Sequence, residues 1–137
     1  MLRFFLLLMI TMSVALDSQK YVVVEVKSQS SVVENGKPFF LFFIIKAVSG
    51  VHLNAQPPIS IKPIGDTTTI KIKGVTEQKS GEYLDVSKPI EVECRLNGAE
   101  AASRKLSFEI GYTYCSEKDG WCRMGKDTVS VTVRVKK

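Results

Sequence analysis

The sequence has 137 residues, 45% hydrophobic and 24% charged, with 19 Lys and Arg against 14 Asp and Glu, a formal charge of +5. That supplies the apolar material for one domain with a real core, with no internal repeat, low-complexity tract or second domain. Three cysteines are too few for a disulfide framework, and scattered lysines without a basic run interleaved with stacking aromatics argue against a nucleic-acid partner.

The chain opens "MLRFFLLLMITMSVA". Arg3 precedes an apolar run, Phe4 to Ile10, and Ser13 and Ala15 put small residues at a cleavage site. This layout predicts a secretory signal peptide over 1–15 and a mature chain over 16–137. The run is shorter than the roughly 20 residues of a membrane span. No stable membrane insertion is expected after cleavage, and the absence of a cysteine near the cleavage site gives no lipid anchor. The expected location is periplasmic or secreted, where disulfides persist. An odd cysteine count means that at least one is free or paired outside the chain.

Beyond the leader, strand follows strand. Tyr21–Val26 alternates, with Val22, Val24 and Val26 on one face. Pro38–Val48 is apolar on both faces, as expected of a central strand covered on both sides. Thr67–Val75 sets Ile70 and Ile72 against Lys71 and Lys73. Pro89–Leu96 sets Ile90, Val92, Cys94 and Leu96 against Glu91, Glu93 and Arg95. Lys105–Tyr114 turns Leu106, Phe108, Ile110, Tyr112 and Tyr114 inward, and Thr128–Val135 places its valines on one face. These are period-two patterns rich in β-branched residues. Asn35-Gly36, Gly65-Asp66, Ser80-Gly81, Asn97-Gly98 and Asp119-Gly120 are turn signals between them. Pro57, Pro58 and Pro63 predict a long irregular connection after Asn54. The expected fold class is all-β: an immunoglobulin-like β-sandwich, mostly antiparallel.

Cys94 is in phase with Ile90, Val92 and Leu96 and reads as a small buried hydrophobe, the alternative being a thiol paired with one of the other two cysteines. Cys115 and Cys122 flank a polar segment containing Asp119-Gly120. If that segment turns the chain back, a bridge across the mouth of a hairpin-like loop is sterically reasonable. Closing so short a loop contributes about 2.5 kcal/mol at most. The pair is therefore either a modest staple or a working redox couple. Lys118 and Arg123 would favour a thiolate, and Glu117 and Asp119 oppose one. Trp121 either packs over the sandwich end or offers a partner an aromatic surface beside the sulfur. His52, the sole histidine, reads as a loop residue, with nothing placing it or Asn54 beside Cys115. Three scattered cysteines and one histidine lack the spacing of a zinc site, and there is no glycine-rich phosphate loop, so neither metal nor cofactor is expected.

Two segments carry a family likeness. "GVHLNAQPP" (Gly50–Pro58) and "IGYTYCSEKDGWC" (Ile110–Cys122), followed by a valine-alternating last strand, resemble the N-terminal periplasmic domain of the transmembrane thiol-disulfide reductase DsbD. The resemblance implies an immunoglobulin-like domain whose cysteine pair cycles between dithiol and disulfide. It further implies Cys122 as the attacking thiolate and Cys115 as the resolving thiol. The implied partners are thioredoxin-like periplasmic proteins and a membrane thiol reductase, since the chain itself carries neither a membrane electron-transfer domain nor a thioredoxin-like Cys-x-x-Cys. The cysteine loop is one residue longer than is usual in the family, and Arg123-Met124-Gly125 replaces a proline-containing continuation. The segment matching the family's protective cap, Thr76–Tyr83, has no phenylalanine, so Tyr83, with Trp121 and Tyr114, are the shielding candidates. The alternative is a non-catalytic binding or scaffolding module in which Cys115–Cys122 is a structural disulfide.

Overall fold

The computed structural model describes residues 20–65, 68–78, 81–100 and 102–136. The expected leader over 1–15 lies outside the described residues. Among the described residues nine strands form: β1 (Val22–Ser28), β2 (Val32–Glu34), β3 (Phe39–Ala47), β4 (Val51–Leu53), β5 (Ser60–Ile64), β6 (Thr68–Gly74), β7 (Ile90–Leu96), β8 (Ser103–Ser116) and β9 (Trp121–Lys136). One sheet has the order β1-β3-β7-β6, the other β2-β9-β8-β4, with β5 also paired to β8. Every pairing is antiparallel except that of β2 with β9. In the first sheet β3 and β7 are the central strands, β6 at the edge joining β7 through the long connection 75–89, and the last two strands, β8 and β9, form the centre of the second. This is the strand arrangement of an immunoglobulin-like β-sandwich. Among the described residues no helix is long and apolar enough to cross a membrane.

The inward faces follow from alternation. Phe39, Leu41, Phe43 and Ile45 of β3, Ile90, Val92, Cys94 and Leu96 of β7, and Leu106, Phe108, Ile110 and Tyr112 of β8 are all buried. Phe43 and Phe108 meet across the gap between the sheets, ring centroids 5.5 Å apart and edge to face, the arrangement that the aromatic quadrupole favours. Cys94 is free and fully buried within this layer. Burial pushes its thiol up to about 12, so it carries no thiolate at neutral pH and acts as packing.

Three sequence expectations are corrected. The connection after Asn54 is irregular over 55–59, as expected, but not beyond: β5 follows and places Pro63 opposite Phe108. Proline discouraged a strand assignment there, but β5 pairs on one side only, and an edge position tolerates a missing N–H. The last hairpin does not end at Tyr114 and resume at Thr128. β8 and β9 stay paired from Ser103/Arg134 to Ser116/Trp121, so both cysteines lie inside a ladder. Finally, β3 is not covered on both sides. Phe40, Phe42 and Ile44 occupy the outer face of the first sheet, over which neither sheet folds a third layer among the described residues.

Phe108→Ala is expected to destabilise the domain by about 3–5 kcal/mol, read from urea unfolding, because the cavity opens between two rigid sheets.

Candidate functional site

The site begins with a turn. Gly120 has φ +68, a conformation that costs a glycine nothing, and its N–H donates to the Ser116 carbonyl at 2.9 Å. The Asp119 N–H donates to Ser116 Oγ at 3.3 Å. This folds Glu117–Gly120 into a tight reversal that sets Ser116 opposite Trp121 and Cys115 opposite Cys122. The two cysteine Cα atoms are 4.1 Å apart and the sulfurs are bonded, with the close approach of a non-hydrogen-bonded cross-strand pair. On its other side, β8 pairs with β4, which places His52 opposite Cys115. Residues directly opposite in a ladder share a face. His52, Cys115 and Cys122 therefore form one row on the outer face of the second sheet.

The row has a fourth member. A bridge joins Asn54 to Tyr83, and the Leu84 N–H donates to the Leu53 carbonyl at 2.9 Å, so the segment around Tyr83 extends the sheet beyond β4. Tyr83 stacks on His52, centroids 4.7 Å apart, and its hydroxyl donates to Glu117 Oε1 at 2.6 Å. The segment is thus latched to the turn that follows Cys115. The hydrogen bond to the Glu117 carboxylate, with burial adding to it, holds the Tyr83 hydroxyl up to about 12. Exposure along the row is uneven: Cys115 is 7% exposed, while Cys122 is open to solvent.

Tyr114 and Trp121 lie on the opposite face of the hairpin from the sulfurs, by the same alternation. There they make an aromatic cluster with Tyr21: Tyr114 to Trp121 5.7 Å, Tyr21 to Trp121 5.0 Å. Arg123 lies over Trp121 at 4.4 Å, in a cation–π contact. Its guanidinium is therefore turned away from the sulfurs, for which it was one of two candidate thiolate stabilisers. Below this cluster, Tyr112 covers Gly125 and donates to Asp127 Oδ2 at 2.7 Å. Asp127 also pairs with Lys20 at 3.4 Å. Burial, then the bond to Asp127, raises the Tyr112 hydroxyl above the usual tyrosine range.

His52 corrects the sequence reading most sharply. It is a strand residue beside Cys115, not a loop residue. Val51 and Leu53, both buried, were the available signal, but three residues are too few for alternation to announce a strand. Farther along the hairpin from the sulfurs is a groove of about 330 Å³ lined by Pro57, Pro58, Ser60, Thr113, Met124 and Lys126, among others. Met124, the next outward residue of β9, is 86% exposed. Among the described residues no group of three or more His, Cys, Asp and Glu side chains could hold a metal ion.

The fold and this site define an immunoglobulin-like domain with a cross-strand disulfide at the tip of its last hairpin. No family model matches the chain, and no curated protein matches it. Solved structures give fold-level likenesses. The yeast GGA1 GAE domain matches at 12% identity and TM-score 0.42 over 82% of this chain and 95% of its own. A cohesin module from a Clostridium perfringens family 33 glycoside hydrolase matches at 14% and 0.40 over 86% and 98%. The ZirS C-terminal domain matches at 13% and 0.35 over 85% and 66%.

Two outcomes test this geometry. In a spectrophotometric titration, Glu117→Gln should bring Tyr83 ionisation back toward about 10. The raised value favours the folded state below the unfolded tyrosine range, and this contribution is lost as pH rises through about 12, since the unfolded chain releases the proton first. Gly125→Ala should lower stability by about 1–3 kcal/mol in thermal or urea melts, because a Cβ there overlaps the Tyr112 ring, which its bond to Asp127 holds in place.

Proposed function

We propose that this chain is an exported thiol-disulfide exchange protein that relays electrons between thioredoxin-like partners through Cys115 and Cys122. The observation that carries the reading is the asymmetry of the pair. Cys122 is exposed at a hairpin tip, Cys115 is buried beside His52 and the latched Tyr83, and a partly apolar groove lies farther along the hairpin, with Met124, the next outward residue of β9, in its wall. A partner thiol can reach one sulfur and not the other, which is the order that attack and resolution require.

In the dithiol state, the Cys122 thiolate attacks one sulfur of a partner disulfide. A mixed disulfide forms and the partner's second sulfur leaves as a thiolate. Cys115 then loses its proton, for which His52 is the neighbouring acceptor, and attacks Cys122. The Cys115–Cys122 bond forms, the mixed bond breaks, and the partner departs as a dithiol with two electrons gained. A reduced donor of thioredoxin-like or membrane thiol reductase type reverses these steps and restores the dithiol. Tyr83 and the segment carrying it shield Cys115 between encounters. Tyr114 and Trp121 support the hairpin from behind, and the Pro57, Pro58 and Met124 surface offers the partner an apolar footing.

A binding or scaffolding module with an inert bridge is the second reading. The placement of Arg123 favours it, because that guanidinium stacks on Trp121 instead of stabilising a thiolate. Against it, the bridge spans a sequence separation of only 7, so it removes little freedom from the unfolded chain.

Two measurements separate the readings. Cys115→Ser is expected to accumulate mixed disulfides through Cys122 with thioredoxin-like proteins in the periplasm, and a lack of any such adduct would count against exchange. The reduction potential of the pair is expected within the thioredoxin-to-isomerase range of about −270 to −180 mV, whereas a value below about −300 mV would mark an inert bridge.

A further inference from the structure

The outer face of the first sheet is on the opposite side of the sandwich from the disulfide, and the exchange reading makes no use of it. Its centre is an apolar stripe along β3: Phe40, Phe42 and Ile44, each part-exposed, extended by Val23 at 40% exposure on β1. Isolated exposed apolar residues are ordinary, but a contiguous stripe with a charged rim marks a contact surface. The rim shows what fits. Most of its charges are satisfied within the chain: Lys46 pairs with Glu25 at 3.9 Å, Lys73 with Glu93 at 3.0 Å, and Arg95 with Glu93 at 3.9 Å. Lys71 makes no ion pair of its own but stands opposite Glu93, whose carboxylate its charge helps to keep ionised.

Lys27 and Glu91 differ. Neither makes an ion pair among the described residues. They stand in a single cross-strand row with Phe42 between them, Lys27 opposite it on β1 and Glu91 opposite it on β7. A cation and an anion are thus left over at equal distance on either side of the stripe.

We infer that this face is a homodimer interface, occupied by a second copy of the chain related by a two-fold axis running along β3. Such an axis keeps each row in place and exchanges its sides. It lays the β1 of one copy over the β7 of the other and stacks Phe40, Phe42 and Ile44 on their own counterparts. Lys27 of each copy then faces Glu91 of the other, so both leftover charges are matched twice by one operation. An isologous contact requires this self-complementarity, and two sheets meeting face to face with nearly aligned strands is an ordinary packing. An unrelated partner would have to bring its own matched pair at the same spacing. The disulfide faces of the two copies point away from each other and stay free.

The test is the oligomeric state of the full chain, expressed with its native N-terminus and followed by sedimentation equilibrium over a concentration series. A reversible monomer–dimer equilibrium is expected. Lys27→Glu and Glu91→Lys should each weaken it about tenfold, by setting like charges against each other twice, and the double variant should recover it to within about threefold. Phe42→Ser should abolish it, with circular dichroism confirming the fold. If that variant misfolds, the charge-swap series still decides. A wild-type chain that stays monomeric up to about 1 mM would overturn the inference. So would a dimer indifferent to the Lys27 and Glu91 reversals, which would place the contact elsewhere.

Discussion

The β8/β9 ladder is the constraint on which the rest of the molecule depends. Over its length the same two strands perform two tasks in succession. Toward the Ser103/Arg134 end, Leu106, Phe108 and Ile110 drive into the core, and Val133 and Val135 close it from the neighbouring strand. Toward the turn the sandwich runs out of opposing sheet, and the inward positions pass to Tyr112, Tyr114 and Trp121, which can pack on one another and still present polar atoms to water. The outward positions at that end carry the two sulfurs. A hairpin pinned so firmly in the core projects its tip rigidly, so the site inherits its geometry from burial elsewhere.

That arrangement sets the energetic meaning of the disulfide. A bridge stabilises by removing freedom from the unfolded chain, and a short loop has little to remove. Here the ladder continues on the core side of the cysteines and the turn is held by Ser116 and Gly120. The covalent bond lies at a tip where one sulfur meets solvent and the other belongs to the residue opposite His52. The two outer faces divide the remaining surface: one bears the sulfurs and the groove, the other the Phe40–Phe42–Ile44 stripe.

Much of the fold could be read from alternation. Long strands with one buried face, such as Pro89–Leu96 and Lys105–Tyr114, announce themselves because every second residue must be apolar. Short strands do not: β2 and β4 hold three residues each, and β5 was obscured by its proline. Charged and glycine-containing stretches such as Arg123–Asp127 lack the pattern as well, because there the outward face is wet and Gly125 yields its space to the Tyr112 ring. The candidate cysteines were visible as a pair flanking a turn signal. Their neighbours were not, since His52 and Tyr83 are distant from them in sequence and reach them only by strand pairing.

By itself, the sequence determined an all-β sandwich, a core of alternating aliphatic and aromatic residues with Cys94 inside it, and a cysteine pair astride a turn. Those properties depend on local periodicity and turn chemistry, which a linear chain displays. Only the tertiary structure decided which sulfur is exposed, that Arg123 turns away from it, that Tyr83 latches to Glu117, and that β3 leaves an apolar stripe uncovered with Lys27 and Glu91 beside it. Each of these depends on which strand lies next to which and in what register, a relation between residues far apart in the chain that no local pattern encodes.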